Sequence, residues 1–142
     1  MAISARNVFA GTVSEIREGA VNAEVSLSIT GGDVIVATVT LDSLKALGLS
    51  VGKTVTAFVK APSVMVVTGD DSVCYSARNH LKGLVSELKT GAVNSKVVVK
   101  LAGGSEVKAI ITNDAVTDLG LVVGSAASVL FKAGSVILGV SA

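Results

Sequence analysis

The chain has 142 residues, 50% hydrophobic and only 16% charged, with a mean hydropathy of +0.71. A net charge of +1 leaves no broad basic field for nucleic acid, and no stretch of about 18 residues is unbroken enough to cross a membrane as a helix. One cysteine, Cys74, rules out an internal disulfide and a thiolate metal cluster.

The chain opens on Ser4-Ala5-Arg6-Asn7, which returns unchanged as Ser76-Ala77-Arg78-Asn79. The offset of 72 then holds without a gap, with roughly 27 of about 61 positions identical from Ser4 to Val64. Two units are expected, 1–70 and 71–142, each near the lower size limit for an independent core. So apolar a chain must bury surface between units or between copies, which predicts an oligomer.

In the first unit, residues 8–16 read as a strand, and Gly11 within it suggests a bulge or bend. Gly19 marks a turn. Val21, Ala23, Val25, Leu27 and Ile29 alternate with polar residues, as on a half-buried strand. Thr30-Gly31-Gly32-Asp33 is a hairpin turn, and residues 34–41 form the returning strand. Residues 42–47 form a short helix, capped by Thr40 or Asp42 and stopped by Gly48. A strand over 55–60, a tight corner at Ala61-Pro62-Ser63 and a last strand over 64–67 complete the unit. Gly69-Asp70-Asp71-Ser72 is a short linker, and the pattern then repeats. The fold expected is all-β: two tandem OB-like five-stranded barrels, each with one short helix.

Enzyme signatures are absent. His80 is the only histidine and matches Val8, so no nucleophile–base arrangement recurs, and there is no phosphate-binding glycine loop. Cys74, opposite Ala2, reads as a buried or half-buried thiol. With no Trp, one Tyr and three Phe, the stacking platform of a single-strand binder is missing. What recurs is a donor set: Arg6/Arg78, Lys60/Lys132, Ser4/Ser76, Ser63/Ser135, and Thr40/Thr112 ahead of each helix. The corners are expected to free backbone N–H groups at Ala61 and Ser63. One arginine and one lysine balance a dianion, and each charge-assisted hydrogen bond contributes about 1.5–3 kcal/mol.

The Ser-Ala-Arg-Asn opening, Leu47-Gly48-Leu49-Ser50-Val51-Gly52 and the closing Val59-Lys60-Ala61-Pro62-Ser63-Val64-Met65 resemble the molybdenum-pterin-binding (Mop) domain of the Mop/TOBE family, here as a tandem pair. The resemblance implies an OB-like fold, a homotrimer of two-unit chains, and molybdate or tungstate as bound ligand at interfaces between units. No catalytic cofactor and no metal ligated directly by protein are implied. Carried over residue by residue, the oxyanion set is Ser4, Arg6, Lys60, Ala61 and Ser63 with Thr40 and Ser43, and its counterpart is Ser76, Arg78, Lys132, Ala133, Ser135 and Thr112. Ser43 becomes Ala115 in the second unit, so that hydroxyl is not shared. Axial sites are implied at Ala20, Val21, Asn22 and at Ala92, Val93, Asn94, where three copies of one turn can converge; a plain hairpin turn explains them equally well. No pterin pocket can be read. The expected function is cytoplasmic storage of the oxyanion, without chemistry, nucleic acid or membrane; the lack of a secretory leader pattern points to the same compartment. The alternative is a ligand-responsive module that docks a partner protein.

Overall fold

A computed structural model describes residues 2–69 and 72–141. Asp70 and Asp71, the centre of the expected linker, lie outside the described residues. The first repeat forms β1 (Asn7–Glu18), β2 (Asn22–Ile29), β3 (Val34–Thr40), α1 (Leu41–Ala46), β4 (Thr54–Val59) and β5 (Met65–Val67). The second forms β6 (Asn79–Thr90), β7 (Asn94–Leu101), β8 (Glu106–Thr112), α2 (Asn113–Leu119), β9 (Ala126–Phe131) and β10 (Ile137–Gly139). Ala61–Ser63 and Ala133–Ser135 are single 3-10 turns, the two corners.

The expected elements are present, in two curled five-stranded antiparallel sheets of OB-like form. The order of one is β10-β4-β1-β2-β3 and of the other β5-β9-β6-β7-β8. Each sheet therefore takes four strands from one repeat and its fifth from the other. Leu138 of β10 pairs with Ala57 of β4, and Val66 of β5 with Val129 of β9. Each corner redirects the chain out of its own sheet and across to its neighbour. Pro62 fixes that bend in the first repeat by its restricted φ.

Alternation fills both interiors. Val13, Val25, Leu27, Ile35 and Val55 are buried in one sheet, and Val85, Val97, Val99, Val107 and Phe131 in the other, within one continuous cluster that also takes in Leu138. The bulge expected at Gly11 lies instead at Ser14, with its counterpart at Ser86, where the register of β1 on β2 and of β6 on β7 shifts. Gly11 serves another end. It pairs with β2 and β4 at once, and a Cβ there would meet the Ser28 carbonyl oxygen at 2.8 Å. The hairpin tips of the two repeats also touch. A Cβ on Gly103 would lie 2.6 Å from the Gly31 carbonyl oxygen, the Gly103 N–H donates to Asp33 Oδ2 at 3.3 Å, and the Ser105 hydroxyl donates to the Thr30 carbonyl at 3.1 Å. Cys74 is exposed rather than buried, because it lies in the irregular segment that leads into β6.

Candidate functional site

The asparagine of the opening tetrapeptide, which sequence reasoning left without a role, positions everything around it. Asn79 lies at the start of β6, and its side chain reaches the first repeat. There it accepts from the Val36 N–H and donates to the Val36 carbonyl, both at 2.8 Å. Asn7 does the same to Lys108 of β8, at 2.7 and 2.8 Å. Each amide behaves as one residue of a pairing strand on the outer edge of the other repeat's sheet. Both are buried, at 2% and 1% exposure, so the bonds are shielded from water. The recurrence of Asn was visible in the sequence; its partner, a main-chain edge in the other repeat, was not.

Register then places the cations. Asn7 lies opposite Val59 and Asn79 opposite Phe131, so one step further along each ladder sets Arg6 against Lys60 and Arg78 against Lys132. Each corner rests against the other repeat's outer strand, the first against β8 and the second against β3. The corner of one repeat therefore lies beside the helix cap of the other, with the arginine and lysine of its own repeat adjacent in the ladder. Thr40 and Ser43 share a cavity of about 240 Å³ with Gly134 and Val136. Thr112 and Ala115 share a larger, mostly apolar one of about 680 Å³ with Pro62, Val64 and Tyr75. A third cavity, about 340 Å³, brings Ser4, Lys60 and Ser63 together with Ser135. The resemblance grouped Thr40 and Ser43 with Lys60; in the chain they face the corner that follows Lys132. Ser76 is exposed and lines none of these three cavities.

Part of the donor set is already engaged. The Ser63 N–H, expected to be free, donates to the Lys60 carbonyl at 2.9 Å, and Ser135 repeats this with Lys132. A 3-10 turn requires that bond, which spends the donor. Among the described residues no hydrogen bond uses the N–H of Ala61 or Ala133, although both residues are buried. Thr40 and Thr112 act as helix caps, their hydroxyl oxygens accepting from the N–H of Ser43 and of Ala115 at 3.1 Å. The Thr40 hydroxyl also donates to Ser43 Oγ at 3.0 Å. Arg6, Lys60, Arg78 and Lys132 are all exposed in the single chain. Arg78 Nη2 makes an ion pair with Glu24 at 2.9 Å, whereas Arg6 has no such partner among the described residues.

The turns at 20–22 and 92–94 stand at one end of each sheet and are exposed, Val21 at 74% and Val93 at 71%. The helix starts close them off from behind: the Leu41 N–H donates to the Val21 carbonyl at 3.2 Å and the Asn113 N–H to the Val93 carbonyl at 2.9 Å, while the Asn113 side chain donates to the Gly91 carbonyl at 3.0 Å. Among the described residues no cluster of His, Cys, Asp and Glu could ligate a metal ion, and no helix is long and apolar enough to cross a membrane.

The chain is similar to several characterised proteins. It is 42% identical over 140 residues to the molybdenum transport protein ModE of Herbaspirillum seropedicae, which covers 99% of this chain and 52% of that protein. The chain thus spans about half the length of the first curated relatives it matches. Over 66 residues it is 52% identical to a probable molybdenum-pterin-binding protein of Haemophilus influenzae, covering 46% of this chain and 96% of that one. Among solved structures, the cytoplasmic molybdate-binding protein ModG, determined with molybdate bound, superposes with a TM-score of 0.95 at 52% identity, over 99% of this chain and all of the other. The TOBE domain matches residues 3–66 and 75–138. The chain belongs to the TOBE domain family and carries two such domains in tandem.

Proposed function

We propose that this protein binds molybdate or tungstate, holds the oxyanion at the contacts between repeats, and serves as a cytoplasmic store without performing chemistry on it. The observation that carries the reading is the crossed placement of the corners. Each sets a lysine, a serine hydroxyl and an unspent alanine N–H against the other repeat's edge, beside an arginine held in register by a buried asparagine. Such a group supplies two positive charges and several directed donors, which is what a tetrahedral dianion requires. The similarity to ModG, solved with molybdate, supports the same ligand.

The residues assigned are Arg6, Lys60, Ala61 and Ser63 with Thr112, and Arg78, Lys132, Ala133 and Ser135 with Thr40 and Ser43; Ser4 joins where the two corners meet. Because the cations are exposed in one chain, neighbouring copies complete the enclosure, and a homotrimer also brings the turns at Ala20–Asn22 and Ala92–Asn94 to a common axis. Sulfate, with shorter bonds, leaves donors unmet, and each unpaired buried donor costs about 1–3 kcal/mol.

Equilibrium dialysis against molybdate tests the assignment. Lys60→Ala and Lys132→Ala are each expected to lower the number of ions held per assembly, with sulfate competing poorly. Full occupancy in both variants would refute it.

A further inference from the structure

The two anion positions proposed above share equivalent cations, although Ser43 at one is Ala115 at the other, and they sit in unequal electrostatic surroundings. Asn79 and Asn7 make the same pair of bonds to equivalent residues, Val36 and Lys108. Arg78 and Arg6 therefore start from equivalent places. Arg78 meets Glu24 on β2 at 2.9 Å. The residue 72 positions later is Lys96, at the same register position, since Glu24 pairs with Thr38 as Lys96 pairs with Ile110. Lys96 turns to Glu87 at 3.3 Å, and Arg6 is left without an ionic partner among the described residues. Glu24, Val36 and Arg17 on the Arg78 side correspond, 72 positions later and in the same register, to Lys96, Lys108 and Lys89 on the Arg6 side. At these three positions an ammonium in place of a carboxylate, and another in place of valine, make the Arg6 side three charges more positive than the Arg78 side.

We propose that positions 24 and 96 rank the two sites: the Arg6 site takes a doubly charged oxyanion first, and the Arg78 site fills only at higher concentration. This rests on the oxyanion-binding reading above. At the Arg78 site the guanidinium is already engaged by a carboxylate, and a dianion must either displace Glu24 or bind beside it. At the Arg6 site nothing has to leave, and Lys96 adds attraction. One unit charge against a dianion at roughly 8 Å and an effective dielectric near 60 changes affinity on the order of tenfold. A protein with two such ranks buffers free oxyanion over a wider range than one with equal sites.

Calorimetric titration with sodium molybdate at low ionic strength, on the full chain, tests the proposal. The wild type is expected to show two classes of site separated by about tenfold or more, since more than one unit charge distinguishes them. Glu24→Gln should strengthen the weak class by about that factor, and Lys96→Glu should weaken the tight class. Arg6→Ala should remove the tight class in the wild type but the weak class in the Glu24→Lys/Lys96→Glu double variant. That exchange reports the ranking rather than fold stability. A single class in the wild type, or constants within twofold of wild type in both single variants, would overturn the ranking while leaving molybdate binding intact. Absence of any molybdate heat would instead overturn the functional reading itself.

Discussion

A single amide side chain decides where each arginine stands. Asn79 satisfies a buried N–H and a buried carbonyl of Val36, and Asn7 does so for Lys108. Removing the amide strands two main-chain groups, at about 1–3 kcal/mol each. Asn79→Ala is therefore expected to lower stability by about 2–6 kcal/mol in chemical denaturation and to weaken anion binding as Arg78 loses its anchor. A loss below about 1 kcal/mol would mean that water replaces the amide. The cations and corner serines were legible in the sequence because they recur at a fixed offset. The grouping of Thr40 with the corner after Lys132, and the contrast of Glu24 with Lys96, were not. Both depend on which repeat each corner leans against, and spacing along one chain carries no record of that.

At the scale of the element, the telling feature is the exchanged fifth strand. Strand positions, the hairpin at Gly31-Gly32 and the helix after Thr40 all follow from alternation and turn chemistry within about ten residues, so they could be read directly. The destination of β5 and β10 could not. Three residues pair equally well with an edge in their own repeat or in the next, and only the direction set by the corner selects between them. Leu138 is sequence of the second repeat but core of the first sheet. Leu138→Ala should cost about 2–4 kcal/mol, and in hydrogen exchange the extra opening should appear at β4 rather than at β9. Protection lost at β9 would contradict the pairing. A separate consequence concerns one repeat expressed alone. With no sister repeat to lend a strand, residues 1–69 are expected to pair with another copy and to run in light scattering as a dimer or as a larger assembly of such dimers; a folded monomer would show that the corner can turn back on its own sheet.

For the whole molecule, composition and structure point the same way. Val122, Val123, Leu84, Met65 and Ile137 are each more than half exposed in one chain, and an apolar surface of that kind is ordinarily covered by association. Sedimentation at equilibrium is expected to give three copies of the 14.1 kDa chain. The proposed store holds its anions where the corner of one repeat meets the edge of the other. An anomalous difference map, recorded at the molybdenum edge from crystals grown with molybdate, measures this most directly. It should show peaks within hydrogen-bonding reach of the corners at Lys60–Ser63 and Lys132–Ser135. Peaks confined to other surfaces, with both corners empty, would contradict it.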